Sequence, residues 1–165
     1  MRRRQEKSRI EDPVVDRALK ELLVPSIPLK LLPGSETGRP DDIFLIPHGR
    51  PLFIEFKWGA WSPTPKQIYW HQILRELGYD VQVHNNVGEA LEAIALKVVT
   101  AALHAEGCEI PPGTRCWDID VRPRLKKDLH YSRSVQFLKE AGRRKENAGN
   151  RTLKGLPPSL ARRGR

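Results

Sequence analysis

The sequence contains little of what membrane-bound, secreted and zinc-binding proteins rely on. Its 165 residues include two cysteines, Cys108 and Cys116, and no further Cys or His stands beside them at zinc-ligand spacing. No apolar run approaches the ~20 residues of a membrane helix, and no apolar stretch follows the basic N-terminus to form a signal peptide. These absences favour a protein inside the cell, with reduced thiols and no membrane partner.

The positive charge of the chain lies in its C-terminal quarter. Residues 1–121 hold 15 Lys+Arg against 17 Asp+Glu, whereas residues 122–165 hold 14 against 3. Such a segment attracts polyanions through counterion release, but a solvated tail that only maintains solubility would have the same composition. If the chain binds DNA, the basic residues expected to contact phosphates are Arg143, Arg144, Lys145, Arg162 and Arg163.

Three helices are predicted from apolar residues that recur every three or four positions. Pro13 is tolerated only in the first turn of a helix, so the first helix should begin near Glu11 or Asp12, with Asp12 as a candidate N-cap. Thr64 supplies an N-cap for the second helix, and Gly78 should end it. The predicted helical ranges are 10–23, 64–78 and 87–103. The residues expected on one apolar face are Trp70, Ile73, Leu74 and Leu77 in the second helix, and Leu91, Ile94, Ala95 and Val98 as the buried stripe of the third.

Short apolar runs predict the strands. Two of them, 42–47 and 51–57, flank a Gly-containing turn and indicate a β-hairpin. A third run, 80–84, follows the second helix. The resulting order α-β-β-α-β-α predicts an α/β fold in which helices flank a small mixed β-sheet.

Beyond Glu106 the pattern weakens. A short strand could form at 116–121 and one isolated helix at 132–141, whereas the last ~20 residues have the composition of a disordered segment. We therefore predict one domain over residues 8–105 and a basic, partly disordered C-terminal extension over residues 106–165.

The hairpin carries charged residues on a strand that is otherwise apolar. Side chains alternate between the two faces of a strand, so Glu55 and Lys57 should project side by side. Buried charges are costly unless they pair or bind an ion. Counting outward from the turn places Asp41 opposite position 56 or 57, so two acids and a lysine should meet at the open end of the hairpin.

This combination of residues suits phosphodiester hydrolysis. Two carboxylates can hold Mg²⁺, which prefers oxygen ligands, and the ion would activate a bound water and stabilise the leaving oxygen. Lys57 could orient the attacking water or neutralise the charge on the phosphorane. Asp42 is an alternative to Asp41, but we expect it to face away or to cap the strand.

Two segments resemble a nuclease signature. Gly38-Arg39-Pro40-Asp41, followed by Phe53-Ile54-Glu55-Phe56-Lys57, resembles the PD-(D/E)XK pattern, and more narrowly that of the VRR-NUC (virus-type replication-repair nuclease) branch. Gln67 matches the Gln that this branch carries on the following helix, and Glu11 matches the Glu on its first helix. The resemblance covers roughly residues 8–100.

The resemblance implies a restriction-endonuclease-like core and a metal-dependent DNA endonuclease. It implies Mg²⁺ as cofactor, with Mn²⁺ as a substitute. Stand-alone members are typically phage or bacterial proteins that act as dimers on branched DNA such as four-way junctions, so it also implies a homodimer in the cytoplasm of a bacterial or phage-infected cell. Larger relatives act in DNA repair. The implied metal ligands are Glu11, Asp41 and Glu55; Lys57 would be catalytic, and Gln67 would support the catalytic site.

Two other functions stay open. One is a non-catalytic DNA-binding protein on a nuclease-derived scaffold, and the other is a sequence-specific restriction-type endonuclease. Among the neighbouring residues, His71 and His84 are candidate metal ligands or bases, and His71, one turn after Gln67, could contact a phosphate; the interpretation we favour is a surface or packing histidine. Trp58 and Trp61 either stack on unpaired bases or cover the edge of the core.

Overall fold

A four-stranded mixed sheet lies at the centre of the computed structural model, which describes residues 7–29, 38–108, 125 and 127–154, with residues 149–154 as backbone only. The strand order is β1-β2-β3-β4; β1, β2 and β3 are antiparallel neighbours, and β4 is parallel to β3. The α/β architecture with a small mixed sheet is therefore confirmed. The strands are β1 (Ser26–Pro28), β2 (Asp42–Phe44), β3 (Leu52–Phe56) and β4 (Asp80–His84).

Four helices flank this sheet within the described residues. The first, α1, consists of an α-helical stretch, Asp12–Arg17, between the π-helical turns Lys7–Glu11 and Ala18–Leu22. It thus begins before the predicted start, and Asp12 lies in its first α-helical turn instead of capping it. The other three helices are α2 (Pro65–Glu76), α3 (Val87–Ala105) and α4 (Leu129–Lys154). None of the helices in the described ranges is both long and apolar enough to cross a membrane.

β1 was not predicted from the sequence. Pro25 precedes it and Pro28 is its last residue, so no run of strand-forming residues marks it, yet Ser26 pairs with Phe44 and Pro28 with Asp42. A proline has no backbone N–H to donate to a neighbouring strand, but it is tolerated in an edge strand, where residues can face away from the single neighbour. The predicted hairpin, the strand at 80–84 and the helix from Val87 are all present.

The main hydrophobic core lies on one face of the sheet, under α1, α3 and α4. The predicted stripe of α3 is fully buried there, and β3 contributes Leu52, Ile54 and Phe56. The helix predicted at 132–141 is present within α4, but it is not isolated, because Tyr131, Val135 and Leu138 of α4 belong to this same core. Apolar residues at such helical spacing need a surface to cover, and burying each is worth about 1.5–3 kcal/mol.

The opposite face of the sheet is covered by α2, over a smaller apolar cluster formed by Phe53, Val81 and Leu29. Leu77 was expected on the buried side of this helix, but its side chain is 64% exposed. The only α2 residue that is fully buried is His71. The side of α2 that faces the sheet therefore carries polar groups as well as Leu74.

Several predicted features lie outside the described residues. They are the short strand at 116–121 and the basic pair Arg162 and Arg163. α4 continues to Lys154, which is within the ~20 C-terminal residues whose composition suggested disorder.

Candidate functional site

Glu55 and Lys57 are both buried where β3 ends. Glu55 is 1% exposed and Lys57 is 7% exposed, and they lie on the face of the sheet that α2 covers. Lys57 Nζ donates a hydrogen bond of 2.6 Å to Glu55 Oε1. The side-by-side placement predicted from strand alternation is thus present, and the two buried charges are paired, as their desolvation requires.

Asp41 lies directly before β2 and is 2% exposed. The hairpin pairs Asp42 with Ile54, and the N–H of Asp41 also donates to Ile54 O, so Asp41 lies beside the Ile54–Glu55 end of β3 instead of opposite position 56 or 57. The difference arises because the turn is centred on His48, which adopts a left-handed φ of 61°. By alternation Asp42 lies on the side of the main core with Ile54.

The Asp41 carboxylate is bound to the backbone of β3. Its Oδ2 accepts the N–H of Phe56 at 2.7 Å, and its own N–H donates to Ile54 O at 3.0 Å. A side-chain oxygen therefore takes the position that a backbone carbonyl would hold in a continued ladder. This bond fixes the Asp41 side chain against the β3 end that carries Glu55.

Gln67 connects α2 to this carboxylate. Its Oε1 accepts the N–H of the N-cap residue Thr64 at 2.9 Å, completing a capping box, and its Nε2 donates to Glu55 Oε1. Because the amide oxygen is held by a backbone N–H, the amide nitrogen must face the carboxylate. The amide orientation thus follows from its partners on both sides.

The segment before Asp41 packs on α2. Gly38 has a φ of 105°, and a Cβ at this position would lie 2.8 Å from Lys66 Cβ. The guanidinium of Arg39 lies over the ring of Trp70, 5.0 Å from its centroid. This packing joins the Gly-Arg-Pro-Asp segment to the helix that carries Gln67, so the three parts of the motif meet in space.

His71, for which the sequence interpretation favoured a surface or packing role over a site role, lies beside Glu55. It is 2% exposed, and its Nε2 lies 3.9 Å from Glu55 Oε2. It follows Gln67 by four residues, which places both side chains on one side of the helix. That spacing was the available signal, but it becomes informative only once α2 is known to cross β3.

His84 lies at the end of the neighbouring strand and pairs with Phe56. Burial lowers the pKa of its imidazole, against the smaller opposing effects of Glu89 and Asp80. His84 Nε2 lies 2.9 Å from Gln82 Oε1, and its carbonyl accepts the N–H of Lys57. It is therefore a neutral neighbour at pH 7 that supports the backbone of the site.

The donor set fits a hard divalent cation in part. Asp41 and Glu55 supply carboxylate oxygens from adjacent strands, and Glu55 Oε2 has no hydrogen-bond partner within the described part of the chain. Glu11 is buried on α1. In the described ranges no three Asp, Glu, His or Cys side chains meet at metal-site distances, so the set of Glu11, Asp41 and Glu55 stays a prediction.

The basic residues of α4 lie on its exposed end. Arg143 and Arg144 are exposed. Lys145 Nζ donates to Glu92 Oε2 of α3 at 2.7 Å, although its side chain stays 55% exposed. These three residues are therefore accessible to a polyanion, and two of them already have a carboxylate partner, because Arg144 also pairs with Glu140 at 4.0 Å.

The candidate site thus consists of Asp41, Glu55, Lys57, Gln67 and His71. Its members come from two strands and one helix, and all except Gln67 are fully buried. Comparisons of the chain with protein-family models, with curated proteins and with solved structures find no match.

Proposed function

We propose that this chain is a divalent-metal-dependent DNA endonuclease of the PD-(D/E)XK type, related to the VRR-NUC branch, with a restriction-endonuclease-like core. One observation carries the proposal. Glu55 is buried with one oxygen held by Lys57 and Gln67, while its other oxygen has no partner within the described residues, and the Asp41 carboxylate binds the backbone N–H of Phe56, the residue that follows Glu55. This is a pair of carboxylates beside a fixed ammonium group.

Structural stability alone gives a weak reason for this cluster. Replacing a buried ion pair with apolar residues of similar size is often neutral or stabilising, by about 1–4 kcal/mol. The strand around Glu55 and Lys57 is otherwise apolar and fully buried, so apolar residues would fit its pattern. Buried titratable groups gathered at one strand end are more often found at functional sites.

The residues have distinct roles in the proposed reaction. Asp41 and Glu55 would hold Mg²⁺, or Mn²⁺ as a substitute, and the bound ion would supply an activated water and charge neutralisation at the phosphate. Lys57, fixed 2.6 Å from Glu55 Oε1, neutralises charge that develops on the phosphoryl oxygens. Gln67 holds the Glu55 carboxylate in one orientation.

The proposed reaction is the displacement of one phosphodiester oxygen by water. The oxygen of a water molecule forms a bond to phosphorus as the bond from phosphorus to the leaving oxygen breaks. The bonding pair stays on the leaving oxygen, which takes up a proton, and the attacking water gives one up. No redox partner or second substrate is needed.

The proposed substrate is branched DNA such as a four-way junction, cut by a homodimer in the cytoplasm of a bacterial or phage-infected cell. The exposed basic end of α4 with Arg143 and Arg144 supports a contact with phosphates. The dimer and the branched substrate follow from the resemblance to the VRR-NUC branch, because a symmetric cut of a junction needs two catalytic sites.

A cleavage assay tests the proposal. Synthetic junction, flap and linear DNA are incubated with and without Mg²⁺, using wild type, Lys57→Ala and Asp41→Asn. A matched control is Lys97→Ala, because Lys97 makes a contact of the same 2.6 Å length to Asp80. We expect Mg²⁺-dependent cuts by wild type and Lys97→Ala, and losses of at least ~10²-fold in the other two.

Circular dichroism identifies any variant that fails to fold, and Asp41→Asn is included because its amide oxygen can still accept the Phe56 N–H. Equal cleavage by wild type and by folded Lys57→Ala and Asp41→Asn would contradict the catalytic assignment. DNA binding without any cleavage would favour the non-catalytic alternative. Discrete, recurrent ends from random linear duplex would favour restriction-type chemistry.

A further inference from the structure

His71 and Glu55 face one another without touching. Their Nε2 and Oε2 atoms are 3.9 Å apart, and both are buried atoms without a hydrogen-bond partner within the described residues. A direct hydrogen bond would require roughly 2.7–3.2 Å. Two polar atoms that are buried at this separation are expected to share a third atom that satisfies both.

The 3.9 Å separation between the two atoms distinguishes a shared water from a shared metal ion. For a water about 2.8 Å from each atom, the angle Nε2–water–Oε2 would be about 90°, which is acceptable for two hydrogen bonds. An octahedral ion at about 2.1 Å from each would need an angle of about 135°, far from the 90° or 180° of its ligands. At this separation only the water meets its angular requirement.

Packing does not account for a histidine at this position. Leu74, one turn further along α2, joins the apolar cluster over the sheet, so an apolar residue at position 71 would extend that cluster at no desolvation cost. Gln67 and Lys57 already bind Glu55 Oε1. The carboxylate is therefore fixed with Oε2 directed towards the imidazole.

We propose that His71 Nε2 and Glu55 Oε2 together hold the water that attacks the phosphodiester, so that His71 is a further catalytic residue. The proposal rests on the nuclease function proposed above. With its proton on Nδ1, the imidazole accepts a hydrogen bond from the water and directs a water lone pair towards phosphorus. As phosphorus gains the water oxygen, it loses the leaving oxygen, which is protonated, and the proton of the attacking water passes to solvent.

Three substitutions test this role. The amide of His71→Gln reaches the position of Nε2, the amide of His71→Asn reaches only that of Nδ1, and His71→Phe keeps the ring without a polar atom. We expect kcat to fall about 10²-fold in the Asn and Phe variants and less than about 10-fold in the Gln variant. KM for DNA should stay unchanged in all three, and so should Mn²⁺ affinity measured by titration calorimetry.

The outcomes separate this proposal from the nuclease function. Unchanged kcat in His71→Asn and His71→Phe would reduce His71 to a packing residue, and Mn²⁺ affinity that falls with kcat would make it a metal ligand; either result overturns the proposal. If wild type does not cut DNA at all, the nuclease function fails instead. A high-resolution crystal structure then decides: a water bridging Nε2 and Oε2 in wild type is expected, and its absence would overturn the proposal.

Discussion

The buried contact between Lys57 and Glu55 allows a stability test that does not depend on catalysis. Removing one partner of a buried ion pair leaves the other charge without compensation, which costs about 3–5 kcal/mol. Both side chains are at most 8% exposed, so solvent offers little relief. We therefore expect Lys57→Met to lower the free energy of unfolding by about 3–5 kcal/mol, towards the lower end because Gln67 also donates to Glu55.

The double variant Glu55→Leu/Lys57→Met should recover most of this loss. With both charges replaced by apolar side chains of similar volume, no uncompensated charge remains, and the strand keeps its apolar surroundings. Urea denaturation followed by circular dichroism measures the free energies. The control Lys97→Met breaks a contact whose side chains are 40% and 34% exposed, and it should cost less than about 1 kcal/mol.

Two results would refute this reasoning. Lys57→Met as stable as wild type would mean that the ammonium group is solvated and that the site is open. A double variant no more stable than Lys57→Met would mean that the loss comes from packing and not from charge. A wild type that gains stability with added Mg²⁺, by an amount rising with its concentration, would in addition support the proposed metal site.

Two further predictions concern the surroundings of the site. Gln67→Ala should lose the capping box and about 1 kcal/mol of stability in urea denaturation, together with the contact to Glu55 and the cleavage rate that depends on it. Gln67→Glu keeps a capping oxygen but sets a second carboxylate against Glu55, so it should recover neither the stability nor the cleavage rate. The pKa of His84 is lowered in the folded chain. As the pH decreases below the ordinary value near 6.5, the unfolded state therefore binds the proton more readily than the folded state, and the free energy of unfolding decreases. Thermal unfolding between pH 7.5 and 5 should show a smaller loss in His84→Gln than in wild type, and identical slopes would refute the assignment.

Local patterns were sufficient for the parts of the fold that are determined locally. The Thr64 cap, the α3 stripe and the hairpin each follow from a short stretch of sequence and are present. β1 was missed because it is only three residues long, has a proline before it and another at its end, and pairs with a strand that is distant in the sequence. The packing of α4 was missed because charged residues dominate its composition, although its buried positions have helical spacing.

In the candidate site too, relations within one segment could be predicted from the sequence, and contacts between segments could not. The Glu55–Lys57 neighbourhood follows from strand alternation and needs no tertiary information. The position of Asp41 depended on the centre of the turn, which composition does not fix. The contact of Gln67 with Glu55, and the approach of His71 to the same carboxylate, require that α2 crosses over β3. Such placement depends on the whole fold, so no single segment encodes it.

The capping box of α2 has a consequence for how the site assembles. Gln67 uses its oxygen to start the helix and its nitrogen to hold Glu55, so fraying of that first turn removes one of the two hydrogen bonds to Glu55 Oε1 and leaves the one from Lys57. Helix initiation and part of the assembly of the site are therefore coupled. The Thr64 amide hydrogen is protected from exchange only while the Gln67 side chain accepts it. Its exchange rate therefore reports whether the same Gln67 side chain is in position to bind Glu55.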